Sequence, residues 1–223
     1  MYSSRFPRLM TAPTGASVSA WKAVGKTASS KLSVSRQPRA AVSWMCAVAL
    51  GHRYFLAAHR PDLKVTGLDF RRRCRRSPQK GAPLANVTWQ EGDAMKLPFE
   101  DNTFSAACIS FGLRNTSDYL RVLQEMTRVV VPGGWVYCLD SFVPDSLVIR
   151  PFYSVYFRYV MPFLGGGFRH RQEYTWLWQS TQDFLRKKEL LDLFGQAGLI
   201  DRQMKSRLFG ACVLHKGKKP AVE

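Results

Sequence analysis

The chain has 223 residues, enough for one domain with a sizeable core, and its 46% apolar content excludes a chain disordered throughout. Its 33 Lys and Arg against 16 Asp and Glu leave a net charge of +17, unevenly spread, because no acidic residue precedes Asp62. The basic residues are scattered apart from the run RRRCRR at Arg71–Arg76, where no aromatic side chains are interleaved for base stacking, so a nucleic-acid partner is not expected.

Residues 1–40 are acid-free, hydroxyl-rich and punctuated by Arg and Lys, with no continuous apolar core. That is the composition of an organelle transit segment and not of a secretory signal; sequence never selected to fold reads the same way. Residues 41–223 form the folded body. The five cysteines, Cys46, Cys74, Cys108, Cys138 and Cys212, show no CxxC or CxxH spacing, so no zinc or other metal site is expected.

Along the body, LKVTGLDF is a β-rich run ending in Asp69, and VTWQEGDAM is another, ending in Gly92-Asp93-Ala94. FSAACISFG is nearly all apolar, as a strand buried on both faces is. SDYLRVLQEMTRVV then carries Leu120, Leu123, Met126 and Val129/Val130 at helical spacing, with Ser117 or Asp118 as its cap. Pro132-Gly133-Gly134 is expected to break that helix and lead into the strand WVYCLDSF. Alternating strands and helices predict a three-layer α/β fold, Rossmann-like, with a mostly parallel sheet. Residues 143–183 depart from this pattern. They are aromatic-rich, broken by prolines and by Gly165-Gly166-Gly167, and too interrupted for a membrane span. TQDFLRKKELLDLFGQAGL reads as one capped amphipathic helix ended by Gly198, and LIDRQMKSRLFGACVLHKGKK, Leu199–Lys219, as two final strands forming an antiparallel hairpin at the sheet edge.

In an open parallel sheet, ligands bind beyond the carboxyl ends of the strands. Asp69 closes one such end, and its two acceptor oxygens suit paired ribose hydroxyls. Asp93 closes the next, with one oxygen for an adenine amino group and the backbone of Ala94 for the ring. Ser110 closes the third. Each carboxylate taken alone is equally readable as a helix cap or a turn residue; their succession at three strand ends favours a ligand.

The stretch from Glu91 to Asp140, with its GDA, LPF and PGG elements, resembles the class I S-adenosylmethionine-dependent methyltransferases. SFGLRN at Ser110–Asn115 and EYTWLWQSTQDF at Glu173–Phe184 make it similar to the ubiquinone/menaquinone biosynthesis C-methyltransferases, nearest the demethylmenaquinone branch, from about Lys64 to Lys216. The resemblance implies S-adenosylmethionine as cofactor, bound by Asp69, Asp93, Ala94 and Ser110. It places Arg114 and Asn115 at the reacting centre and makes residues 143–183 a lid over the substrate. The implied reaction methylates a ring carbon of a prenylated naphthoquinol; a benzoquinol, another small phenol or lipid, or a chain without catalysis are the alternatives. Arginine stays protonated, so Arg114 reads as stabiliser of the ring phenolate and Asn115 as holder of a water; an ion pair with a nearby carboxylate is the structural reading of Arg114. His170 and His215 are the candidate bases, although lone histidines with no named partner are more often incidental. An aromatic, Arg-bearing lid also suits a peripheral membrane contact, and a homodimer is a further expected partner. The compartment implied is chloroplast or mitochondrion if residues 1–40 are a transit segment, and otherwise a membrane-peripheral place in the cytoplasm.

One family element is missing. Such enzymes need a loop of the form DxCCGTG after the first strand, whose glycines let backbone approach the methionine part of the cofactor. Here the corresponding stretch is SWMCAVALG, Ser43–Gly51. Trp and Met have single codons, so Trp44-Met45-Cys46 is encoded TGG-ATG-TG(T/C). Two bases on, this contains a codon for Leu, Val or Met and then GAT-GTG, Asp-Val. Permitted third bases through Gly51 complete LDVCCGTG. The Asp-Val is forced and the remainder allowed, which points to a cofactor loop translated out of frame, with RRRCRR as a second disturbed patch.

Overall fold

The computed structural model describes residues 43–48, 63–69, 85–155 and 178–221. Residues 1–40, the loop position around Gly51, the Arg71–Arg76 run and the 156–177 part of the expected lid, with His170, lie outside them.

Seven strands among the described residues form one sheet: β1 (Ser43–Val48), β2 (Lys64–Asp69), β3 (Val87–Glu91), β4 (Phe104–Ser110), β5 (Val130–Ser141), β6 (Ile200–Arg207) and β7 (Cys212–Lys218). Their order is β3-β2-β1-β4-β5-β7-β6. β1 to β5 are mutually parallel, and β7 runs antiparallel between β5 and β6. This is the expected sheet with its terminal hairpin. The chain order reverses between β1 and β4, the crevice where open sheets of this type bind ligands. SWMCAV is the strand beside that crevice. Cys46 sits across from Gly67 on one side and Cys108 on the other, and Val48 across from Ser110.

β4 is buried at every position except Ser105, which explains its unbroken apolar reading. Helix α1 (Tyr119–Val129) packs on the sheet through Val122, Leu123, Met126 and Val129. Asp118 caps it, its Oδ1 accepting from the Arg121 N–H at 2.9 Å. The helix ends at Val129, before Pro132-Gly133-Gly134, so that tripeptide does not break it. β5 begins at once, and the tripeptide lies in an irregularity: Phe104 pairs with Val130 but Ala106 with Trp135. The displaced backbone is bonded elsewhere, Gly133 N to Lys219 O at 3.0 Å and Lys219 N to Gly134 O at 2.9 Å.

A short helix α2 (Ile149–Val155) follows β5. The helix expected over Thr181–Leu199 is divided. Residues 178–182 are helical, 183–186 are not, and α3 spans Lys187–Gln196. Phe184 turns inward at the break, 5.3 Å from the Tyr119 ring and 5.2 Å from that of Phe142. A core aromatic thus overrides local helical periodicity. Glu189 recaps α3, accepting from the Arg186 N–H at 2.7 Å. Gly198, at φ 83°, ends the turn beyond it while the Leu199 N–H reaches back to Phe194 O at 3.0 Å.

The loop after β3 is tied to α1 by one cluster. Glu125 receives the Leu97 N–H at 2.8 Å and two Arg128 nitrogens at 2.9 Å each. Arg128 also donates to the Phe99 and Leu97 carbonyls and to Asp101. Hydrogen bonding from Arg128 leads in lowering the Glu125 pKa below its ordinary 4.5, burial opposing. A lowered carboxyl contributes stability above its unfolded pKa and loses it as pH falls through the folded one. Glu125→Ala therefore costs about 3 kcal/mol at pH 7, lowering Tm by about 6–12 °C, and the difference from wild type shrinks below pH 4.5. Thermal unfolding at pH 7 and pH 3.5 checks both parts.

Candidate active site

The sheet brings the predicted ligand positions to one edge. Asp69 ends β2, level with Glu91 at the end of β3, and Asp93 lies two residues beyond. Ser110 ends β4, two strands from Asp69 across β1, a lateral distance of about 10 Å. All three belong to the carboxyl edge of the parallel strands, as one ligand requires. At Gly92 an added Cβ would lie 2.9 Å from both Leu68 and Pro98, so the approach of β3 to its following loop needs glycine. Asp93 has a second occupation, since its Oδ1 accepts from the Met95 N–H at 2.9 Å in a side-chain turn. That is the turn-residue role open to it from sequence, and only part of the carboxylate is engaged. Ala94 is half-buried and packs against the core; Ser110 is buried.

Beyond Ser110 the chain turns sharply. Phe111 adopts φ 52°, the left-handed region that a bulky residue occupies only when its surroundings impose it. Those surroundings are visible: its N–H donates to Leu139 O at 2.8 Å, and its carbonyl accepts from Asn115 Nδ2 at 3.3 Å. A 3-10 turn over Leu113–Asn115 follows, and its Arg114 guanidinium stands 5.8 Å above the Phe111 ring. The strained turn thus places Arg114 and Asn115 directly after β4, beside the end of β5.

Arg114 does not project freely. Its Nη1 pairs with Asp140 Oδ1, both side chains being fully buried, and the same oxygen accepts the Ser141 N–H at 2.8 Å. The ion-pair reading of Arg114 is therefore realised, with a partner that the strand-end argument passed over. Asp140 nearly ends WVYCLDSF, and the rule applied to Asp69 and Asp93 would have found it there. The pair is incompletely satisfied. Arg114 Nε and Nη2, Asp140 Oδ2 and Asn115 Oδ1 are buried without a hydrogen-bond partner among the described residues. Such atoms cost about 1–3 kcal/mol each when left dry, so their clustering marks a place built to receive polar groups.

The neighbouring titratable groups are held neutral. Burial, then Asp140, then Asp183 raise the Tyr119 phenol above its usual value. Burial followed by Asp140 pushes the Cys212 thiol to about 12, and raises Cys138 well above its ordinary range. His215 lies on β7, buried between Phe142 and Phe194, with Nε2 2.8 Å from Lys187 O. Burial lowers its pKa to about 4, which makes it a poor base at neutral pH and a structural residue.

A parallel sheet in the order 3-2-1-4-5-7-6, antiparallel only at β7, with polar residues at successive carboxyl ends, defines a class I S-adenosylmethionine-dependent methyltransferase fold. Solved structures agree. An S-adenosylmethionine-dependent methyltransferase from Thermotoga maritima is similar with TM-score 0.56 and 17% identity, over 90% of this chain and 89% of that one. An N-methyltransferase of Haemonchus contortus in complex with phosphomonomethylethanolamine and S-adenosylhomocysteine is similar with TM-score 0.55 and 14% identity, over 89% and 52%. The chain belongs to the ubiE/COQ5 methyltransferase family, whose model matches residues 19–219. It is 44% identical over 164 residues to the demethylmenaquinone methyltransferase of Anoxybacillus flavithermus, covering 72% of this chain and 69% of that one. The demethylmenaquinone methyltransferase of Staphylococcus aureus is likewise 44% identical over 161 residues, covering 71% and 67%. The chain is thus a methyltransferase of the quinone C-methylating family.

Proposed function

We propose that this chain methylates a ring carbon of a prenylated demethylnaphthoquinol, with S-adenosylmethionine as methyl donor. The observation that carries the reading is the buried cationic Arg114, with unfilled donors, at the same sheet edge as Asp69, Asp93 and Ser110. The residues on the adenosine side fit the cofactor: Asp69 would hold the ribose, Asp93 and Ala94 the adenine, and Ser110 would border it. When bound, the cofactor would supply an electrophilic methyl group to the attacking carbon. Arg114 Nε and Nη2 hold the ionised ring oxygen, whose charge makes the neighbouring carbon nucleophilic. Asn115 orients the hydroxyl or a water beside it.

Leu147, Val148, Phe152 and Val155, in and before α2, are exposed over 53–78% of their surface. This apolar strip beside the site suits the isoprenoid tail and a bilayer from which the tail is drawn. Among the described residues no helix is long and apolar enough to cross a membrane. Incubation with labelled S-adenosylmethionine and reduced demethylnaphthoquinone should give a C-methylated product, and Phe152→Asp should raise KM for a long-tailed substrate about tenfold while leaving a short-tailed one unchanged. Labelling of a benzoquinol alone would move the substrate to the other branch of the family.

One observation favours a second reading. The residues following β1, Ala49-Leu50-Gly51, supply one glycine where the methionine side of the cofactor needs a glycine-rich loop. A chain of this sequence would then keep the fold without binding cofactor. Calorimetric titration with S-adenosylmethionine separates the two readings.

A further inference from the structure

We propose that Asp140 Oδ2 is the proton acceptor that ionises the substrate ring hydroxyl, an inference that rests on the reading of the site as a quinol methyltransferase. A phenol carbon reacts only after the ring O–H is broken, and that proton needs a base. Arginine cannot serve, since its guanidinium stays protonated. A water held by Asn115 would itself need somewhere to pass the proton. His215, on β7, is bonded at Nε2 to the Lys187 carbonyl and packed between Phe142 and Phe194; its Nδ1 has no partner among the described residues, but burial lowers its pKa to about 4 and leaves it a weak base. The carboxylate bonded to Arg114 is Asp140, and its second oxygen is buried with no partner among the described residues.

The step balances within the pair. The ring O–H bond breaks, the proton goes to Asp140 Oδ2, and the electron pair remains on the ring oxygen opposite Arg114 Nε and Nη2. One buried ion pair, Arg114 with Asp140, is exchanged for another, Arg114 with the ring oxygen. The number of buried charges is unchanged, so the transfer avoids the large penalty of creating charge in a dry interior. The titratable groups facing Asp140 are Arg114 from the 3-10 turn, Tyr119 from α1, Cys138 from β5 and Cys212 from β7. The phenol and both thiols are held protonated and do not compete for the proton. Burial raises the Asp140 carboxyl above its ordinary value, opposed by the Arg114 guanidinium and by backbone N–H groups of Ser141 and Arg114, and the net rise moves it toward the range of a useful base.

The test needs no cofactor. Binding of 1-naphthol to the full chain is followed by absorbance, which separates naphthol from naphtholate, and by calorimetry in two buffers of different ionisation enthalpy, which counts protons released. The expected result is bound naphtholate at pH 7 with no proton delivered to the buffer. Neutral bound naphthol, a full proton in the buffer, or no binding at all overturns the proposal. Asp140→Asn, checked for folding by its thermal transition, should bind neutral naphthol or release the proton to the buffer; unchanged internal ionisation in this variant also overturns it. If the variant does not fold, the wild-type proton count decides alone. Where turnover is measured, Asp140→Asn should lower kcat by about 10²–10⁴-fold with little change in KM, and Asp140→Glu should recover part of it. Internal ionisation of naphthol without methyl transfer to any naphthoquinol would sink the functional reading and leave the proton acceptor standing.

Discussion

Replacing Trp44–Gly51 (WMCAVALG) with LDVCCGTG raises the affinity for S-adenosylmethionine by at least two orders of magnitude, read by isothermal titration. β1 lies between β2 and β4, so its carboxyl end opens on the crevice between Asp69 and Ser110. A loop leaving β1 there must approach the methionine part of the cofactor with bare backbone, and each hydrogen bond it makes to a charged group is worth about 1.5–3 kcal/mol. Two or three such bonds amount to about 3–9 kcal/mol, or about two to six orders of magnitude in dissociation constant. The replacement keeps the length and recasts Trp44–Val48 of β1 together with the three residues after it, so the neighbouring edges of β2 and β4 are presented unchanged to the new segment. Equal affinity in both chains would show that residues outside this loop hold the methionine moiety. The gene itself gives an independent check, because any codon between Ser43 and Gly51 that forbids LDVCCGTG in the shifted frame removes the frame argument.

The second large effect is at Arg114. Arg114→Lys should lower kcat by about 10²–10³-fold with a small change in KM, because a single ammonium cannot hold Asp140 and the ring oxygen together as the guanidinium fork does. Arg114→Met adds a folding defect. It strands the Asp140 carboxylate, which is fully buried, and leaving a buried charge unpaired costs about 3–5 kcal/mol. The double change Arg114→Met with Asp140→Leu should restore most of that stability while leaving activity absent. Denaturant unfolding of the two variants beside wild type measures the recovery. If Arg114→Met alone is as stable as wild type, the pair is solvated in solution and the buried-charge account fails. The strained turn at Phe111 belongs to the same unit: it sets the guanidinium over the ring and aims the backbone carbonyl at Asn115.

Several features were legible from residues alone because they are short-range. The apolar run at β4, the spacing of Leu123, Met126 and Val129 in α1, a cap at Ser117 or Asp118 (Asp118 in the structure) and the Gly198 stop depend on neighbours within one or two turns. The acidic ends of β2 and β3 were visible for the same reason. Other features required distant partners. The helix expected across residues 181–199 is interrupted because Phe184 fills a space between Tyr119 and Phe142, which no local pattern records. Pro132-Gly133-Gly134 reads as a helix breaker, but its backbone is bonded to Lys219, nearly ninety residues later, so the helix ends earlier and the strand absorbs the irregularity.

By itself, the sequence determined the alternation of strands and helices and the polar groups placed at strand ends, which follow from periodicity and from the residue types each strand terminates in; the family came from resemblance in motifs such as SFGLRN and EYTWLWQSTQDF. Only the tertiary structure decided which of those groups meet. Arg114 and Asp140 are 26 positions apart, and they touch because β4 and β5 lie side by side in the sheet, joined through α1. Their desolvation, and with it the proton-accepting chemistry of the pair, comes from burial by elements remote in the chain.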